Sequence, residues 1–467
     1  MELNMAINDL GYRKWGLEPK NNSHQWRTIA AFGVRVAWRS TWLKRIFVMA
    51  WIPIFLMGAY LFVIEQSIQD IDSNDLLKSL GRGFVTSIVI ERPEIRNLLE
   101  ITQWSKHSNS LNKFLDNIFN GQDTAEEISP KSLPSNPRLR QLMQTGITFE
   151  VKDLEFVINL TDEQIQKIPE LINLNSFQQL RSLMPRNRRG PPIPLFKQSV
   201  EDIKYAQSVA VELIEYDNDG NEFIDFKELV NYLRPTLWSE VLFLFFRLPQ
   251  AFSVVLVIGM VAPKLISRDM KNRAFLLYYS RPIKPWQYLL GKCAIIWAFL
   301  VGLTTLPALM LYILGLSLSP DITVFFVTWQ LPLKIMLASV ILCVPTTLFA
   351  LMLSSLTRES RIASFSWFSV WIMGSVAYFI MTIVETARAL QQQTNVPSEQ
   401  ARIAGETFAE GKWAWLSPMQ TLGNLQSWVF GIEREFGSLT ISFLAVGLIS
   451  VICLLILRWR IVLPIRV

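Results

Sequence analysis

Seven oxygen-bearing side chains crowd into the stretch from Asp217 to Glu228: Asp217, Asn218, Asp219, Asn221, Glu222, Asp225 and Glu228. Donors at that density suit a hard cation such as calcium, which takes about six to eight oxygens. An acidic turn capping a helix on a solvated surface is the plainer reading. A second group lies between two apolar runs, where Arg268, Asp269, Lys271, Arg273, Arg281, Pro282, Lys284, Pro285, Gly291 and Lys292 follow one another closely. Proline fixes φ, so a short basic segment clamped by Pro282 and Pro285 makes a rigid body that a soluble partner could push. A simple basic flank beside a membrane would satisfy the charges alone. Third, Arg247 stands well inside an apolar run, followed by Pro249 and Gln250. Such a charge either faces a pathway or subunit interface and meets a polar group there, or extends its head to the membrane interface. Thr304, Thr305, Thr346 and Thr347 lie beside Pro307 and Pro345, where they are expected to satisfy the backbone of kinked helices.

Several chemistries are excluded. The phosphate-cradling pattern of glycine, four residues and Gly-Lys-Ser/Thr does not occur, and Gly291-Lys292 is followed by Cys293. The chain is therefore expected to have no ATP site and to be no enzyme by itself. Cys293, Cys343 and Cys453 all fall in apolar runs without metal-ligand spacing, and His24 and His107 lie outside them, which argues against haem, thiolate-metal and redox chemistry. The apolar runs hold no carboxylate in their interior, since Glu65, Glu240 and Glu385 lie at edges, so coupling to protons or sodium is disfavoured. A net charge of +6 without a basic, aromatic-interleaved stripe argues against nucleic acid as partner.

The elements that must position these residues follow from the apolar runs near 46–64, 241–262, 294–316, 335–356, 363–384 and 438–457, each about the ~20 residues a helix needs to cross hydrocarbon. The expected fold is an all-α polytopic membrane protein with six transmembrane helices. Lysines and arginines cluster before the first run, between the second and third, between the fourth and fifth, and after the sixth, whereas Ser317 to Thr323 has none. By the positive-inside rule both termini lie in the cytoplasm and a mainly α-helical extracytoplasmic insertion separates the first two spans. The expected divisions are a cytoplasmic N-terminus over 1–45, a first span over 46–66, the insertion over 67–236 and a membrane domain over 237–467. No cleavable signal peptide is expected, because the first run follows a long polar and basic segment. Within 1–45, His24 to Arg45 mixes tryptophans and arginines as an interfacial helix on membrane lipid does; a basic flank for the first span is the alternative. The insertion shows helix-like stretches over 94–119, 162–183 and 199–216, punctuated by proline-rich linkers at 129–137 and 185–192.

Two resemblances sharpen these readings. The sequence Asp217-Asn218-Asp219-Gly220-Asn221-Glu222-Phe223-Ile224-Asp225-Phe226-Lys227-Glu228 resembles the EF-hand loop, flanked by Val209, Leu213 and Tyr216 on one side and Leu229 and Leu233 on the other. That resemblance implies calcium ligands at Asp217, Asp219, Asn221, the Phe223 carbonyl, Asp225 and Glu228, with Ile224 at the aliphatic position. It departs from the pattern at Glu222, where the family has glycine for a positive φ; the strain is about 1 kcal/mol and implies a weak site. The second resemblance rests on Leu265 to Ile283, containing Arg268-Asp269 and Ser280-Arg281-Pro282, on Leu290-Gly291-Lys292, and on Trp415-Leu416-Ser417-Pro418. These are similar to ABC-2 type transporter permeases. The resemblance covers the chain from Leu237 onward together with the first span and the helix before it. It implies a permease subunit, expected to export an unidentified substrate, with a cytosolic ABC ATPase subunit as partner and a homodimer or heterodimer of permeases as assembly. Arg268, Asp269, Arg273, Arg281, Pro282, Gly291 and Lys292 would form the ATPase-coupling loop. A multi-pass protein of a prokaryotic plasma (inner) membrane is the expected setting. A membrane-anchored, calcium-responsive sensor or assembly protein is the alternative.

Overall fold

The computed structural model describes residues 25–68, 148–162, 200–217, 220–272, 285–319, 323–392, 412–432 and 436–462, with single positions at 95, 98, 102, 165 and 274. Nearly all of them are helical. Six helical stretches are long and apolar enough to cross a membrane: Thr41–Glu65, Phe226–Lys271, Pro285–Leu318, Val324–Leu356, Ser360–Arg388 and Leu439–Ile461. The number matches the sequence reading. The second stretch is much longer than its apolar run, because polar residues from Phe226 onward continue the same helix, and position 236, the expected end of the insertion, falls inside it.

Helices α1 (Gln25–Ala37), α2 (Thr41–Met49) and α3 (Ile52–Ile68) open the described chain. The insertion contributes β1 (Phe149–Glu150), α4 (Val151–Ile158), α5 (Val200–Ile214) and β2 (Phe223–Ile224). Helix α5 matches the third expected helix there; the other two fall almost wholly outside the described residues. The second span is built from α6 (Phe226–Pro249), a π-helical turn at Gln250–Val254, α7 (Val255–Val261) and α8 (Pro263–Lys271). Next come α9 (Pro285–Leu300), a second π turn at Val301–Thr305 and α10 (Leu306–Leu318), which make the third span. The fourth is α11 (Thr323–Thr328) with α12 (Gln330–Leu356), the fifth α13 (Ser360–Gln392) and the sixth α15 (Phe436–Leu457).

Between the fifth and sixth lies an element that hydropathy alone did not disclose, a short 3₁₀ turn at Ala414–Leu416 followed by α14 (Pro418–Phe430). Its sequence is rich in Gln, Thr, Asn and Ser, yet Thr421 to Ser427 are all buried. Trp413 Nε1 donates to Glu385 Oε1 at 3.0 Å, near the insertion end of α13. Leu416 and Pro418 press on Gly374, midway along that helix, where a Cβ would come within 2.6 Å of the Leu416 oxygen. The chain then climbs back: Lys334 Nζ, near the start of α12, donates to the Phe430 carbonyl at 3.3 Å. Gly431 at φ +78° closes α14, with the Ile432 amide bonded to the Ser427 carbonyl.

Buried apolar residues form two main packed bodies. One runs from Phe149, Leu154, Ile203 and Ile224 of the insertion through Leu229, Trp238 and Phe246 of α6 to Ala308, Leu311, Ile335, Ala338 and Phe430. The other packs Val254, Ile258, Ile296, Leu300, Leu342, Leu351, Trp367 and Leu457 toward the opposite end, where the basic residues gather. A smaller cluster of Leu43, Ala50, Val257, Ile295 and Leu303 adjoins it.

Candidate functional site

At the basic end, the residues flanking positions 273–284 are closed by a buried ionic knot. Asp269 of α8 meets Lys292 Nζ of α9 at 2.7 Å, and Tyr288 Oη donates to the same carboxylate at 2.8 Å. The Lys292 ammonium also stands 5.2 Å from the Tyr288 ring centre. Side-chain exposure is 8% for Lys292 and 16% for Asp269, so the two charges are largely withdrawn from solvent. Arg268, one residue earlier, is exposed. Arg273, Arg281 and Pro282 lie outside the described residues.

Above this knot α8 is held to its neighbours where its backbone is broken. Pro263 has no N–H, so the Gly259 carbonyl loses its helical partner, and Ser364 Oγ of α13 donates to it at 3.1 Å. Ser354 Oγ of α12 donates to the Pro263 carbonyl at 3.0 Å and accepts from the Ile266 and Ser267 amides at 3.1 and 3.2 Å. One hydroxyl thus satisfies three backbone groups freed by the proline break.

Helix α1 is part of the same assembly. Gly291 allows Ile29 to sit where its Cβ would be, within 2.9 Å, with the Trp26 carbonyl 3.1 Å away. Reciprocally, Gly33 of α1 receives Ile295 of α9. The outer face of this segment exposes Phe32, Trp38 and Trp42 beside Arg27, Arg35, Arg39, Lys44 and Arg45, the pattern expected of an interfacial helix. Gly291 therefore allows α1 and α9 to pack closely.

Arg247 meets a polar partner within the bundle. Its guanidinium donates to Gln420 of α14 and lies 5.9 Å from the Phe243 ring centre, while Gly423 leaves the room that a Cβ would fill. Gln250 opens the first π turn. Thr304 Oγ1 returns a bond to the Leu300 carbonyl at 2.8 Å, as expected, but Thr305 bonds across to Ser339 Oγ of α12 at 2.8 Å. The Thr346 and Thr347 hydroxyls have no hydrogen-bond partner among the described residues, so the expectation that they satisfy helix backbone fails.

Of the acidic loop, Asp217 and Gly220 to Glu228 are described. Gly220 has φ +66° and Glu222 φ +64°, and Glu222 is the only non-glycine residue with positive φ among those described. Asp217 Oδ1 accepts from the Gly220 amide at 2.9 Å, Asn221 Oδ1 from Phe223 at 2.7 Å, and Glu228 Oε2 from Asp225 at 3.2 Å. Phe223, whose carbonyl is the expected fourth ligand, lies in β2. There Ile224 pairs antiparallel with Phe149 and Glu150 with Phe223. Helices α4 and α6 each begin two residues beyond the paired Phe149 and Ile224. The partner strand at 149–150 was not recognisable from its ligand-poor sequence. Asp219 lies outside the described residues, and among those described no three His, Cys, Asp or Glu side chains gather as they would round a metal ion.

A further node escaped sequence reading. Glu65 at the end of the first span is fully buried; it accepts from Arg234 at 3.0 Å and from Trp238 Nε1 at 3.1 Å. Trp238 packs over Gly315 and edge-on to Tyr312, with ring centres 5.9 Å apart. Each residue was visible in the sequence, but a pair 169 positions apart carries no local signal.

The family model described as ABC-2 family transporter protein matches residues 32–459. Comparisons with curated proteins and with solved structures gave no match.

Proposed function

The chain belongs to the ABC-2 family of transporter proteins, and on that premise we propose that it is the permease of an exporter energised by a separate cytosolic ATPase subunit. In this reading the basic end faces the cytosol, the insertion lies outside, and two permease chains form the pathway. The observation that carries the proposal is the ionic knot. Asp269, Lys292 and Tyr288 fasten α8 to α9, the two helices between which positions 273–284 lie in the sequence. Helices fastened this way would move as one body, as elements that receive a push from an ATPase must. Arg268 and Lys271, exposed beside the knot, are described residues that would touch the partner. Purification of the chain in mild detergent from its native membrane tests the reading. A co-purifying P-loop ATPase, whose turnover rises when the chain is present, is the expected outcome. An ATPase that never binds, or binds without any change in turnover, contradicts it. Vesicles of known orientation give the direction of transport.

Calcium binding by the Asp217–Glu228 loop is a second proposal, supported by the positive φ of Glu222 and the pairing of β2 with β1. The loop would use Asp217, Asp219, Asn221, the Phe223 carbonyl, Asp225 and Glu228. Calorimetric titration of the whole chain in detergent tests it: heat at about 10⁻⁴ to 10⁻³ M calcium supports the site, and a flat trace contradicts it.

A further inference from the structure

We propose that the membrane domain is divided by a hinge plane, about which the body carrying the basic end turns against the body carrying the insertion. The inference rests on where helices change neighbours. In the second span Phe246 packs with the insertion-side body and Ile258 with the basic-end body, and the π turn Gln250–Val254 lies between them. In the third, Leu300 belongs to the basic-end body and Ala308 to the other, and the π turn Val301–Thr305 separates them. In the fourth, the change falls between Ala338 and Leu342, and in α14 between Leu422 and Val429.

The first span breaks too, between α2 and α3 at Ala50 and Trp51. The transitions of the first, third and fourth spans adjoin one another. Thr305, in the second π turn, is bonded to Ser339 of α12 at 2.8 Å, and a Cβ on Gly302 of the same turn would lie 3.0 Å from Phe47 of α2.

A π turn carries one residue more than the regular helix around it and loosens the ladder of backbone bonds locally. A proline accompanies each: Pro249 immediately precedes the first, and Pro307 follows the second. Proline removes one more backbone donor, so both spans are weakened at their π turns. Each body is tied internally, although a third π turn, Arg458–Val462, ends the sixth span within the basic-end body. Glu65, Arg234 and Trp238 fasten the insertion side, while Ser354, Ser364 and the Asp269–Lys292 pair fasten the basic end. Strong ties within bodies and softened helices between them are the physical requirements of hinge motion. The threonine hydroxyls at 346 and 347, buried just below the plane without partners among the described residues, are donors that a shifted arrangement of backbone carbonyls could engage.

Under the proposed function this plane converts a push at positions 273–284 into rotation of one body against the other, yet the hinge itself needs no ATPase. The test uses the whole chain alone in lipid nanodiscs, with Cys293, Cys343 and Cys453 changed to alanine and spin labels on introduced cysteines. Leu290→Cys with Ile313→Cys and Leu256→Cys with Leu333→Cys bridge the plane. Leu256→Cys with Leu290→Cys and Ile313→Cys with Leu333→Cys stay within one body; all four positions are exposed. Distance distributions across the plane should be about twice as wide as those within a body. Because labelled variants can fail to fold, hydrogen exchange on the unaltered chain gives a second reading: amides at 250–254 and 301–305 should exchange about tenfold faster than those at 242–246 and 308–312. Equal widths with a folded chain, or equal protection of π turns and flanks, overturn the hinge. An inert ATPase leaves both measurements untouched, so failure of the transport reading is distinguishable from failure of the hinge.

Discussion

Replacing Asp269 by leucine leaves the Lys292 ammonium, whose side chain is 8% exposed, without its ionic partner. Removing one member of a buried ion pair costs about 3–5 kcal/mol, because the remaining charge stays desolvated. The hydrogen bond from Tyr288 to the same carboxylate is lost as well, and its contribution of about 1.5–3 kcal/mol overlaps with the first figure rather than adding to it. At about 2 °C per kcal/mol for a long chain, the midpoint of thermal unfolding in detergent should fall by roughly 6–10 °C. Lys292→Met should cost a similar amount, since it strands Asp269. The double variant Asp269→Leu/Lys292→Met removes both charges and should recover most of the loss, because an apolar pair of similar volume is often neutral relative to a buried ion pair. The assay is a double-mutant cycle on unfolding midpoints, read by size-exclusion chromatography of heated samples. A double variant whose loss equals the sum of the two single losses would show that the charges act independently, and the knot would cease to explain how α8 and α9 move together.

Gly291→Ala places a methyl group 2.9 Å from Ile29 and 3.1 Å from the Trp26 carbonyl, so α1 should detach and become more open to protease; Gly58→Ala, with Leu314 at an ordinary 3.7 Å, should be neutral in the same digestion. Glu65→Gln weakens the tie to Arg234, which is 5% exposed, and should lower the unfolding midpoint, whereas Glu65→Leu combined with Arg234→Leu should restore most of it. Glu222→Gly relieves about 1 kcal/mol of left-handed strain and should tighten calcium binding about fivefold in calorimetry; unchanged affinity would mean that the loop's backbone is not set by the ion.

The spans were legible because lipid demands long uncharged runs, and runs such as 438–457 have no other economical solvent. Local chemistry was legible too. Helix α5 follows from the helical spacing of Val209 and Leu213 read in the sequence. What escaped was non-local or concealed by composition. Helix α14 is polar enough to read as a loop, and it is buried because neighbouring spans surround it, which periodicity cannot reveal. Asp269 and Lys292 were recognised as part of one segment, but their pairing with each other across 23 positions carries no local signal. Glu65 looked like an edge charge until the fold brought Arg234 and Trp238 to it. The π turns have no signature beyond nearby prolines.

The account depends most on the two ends of the bundle lying on opposite sides of a membrane. Labelling of intact cells with a membrane-impermeant thiol reagent, at Asn221→Cys in the acidic loop and at a cysteine placed after Val467, measures this directly on a background lacking the three native cysteines. The account predicts that Asn221→Cys reacts in intact cells and the C-terminal cysteine only after permeabilisation. Reaction of both, or of neither, before permeabilisation would put the loop and the basic end on one face and contradict it.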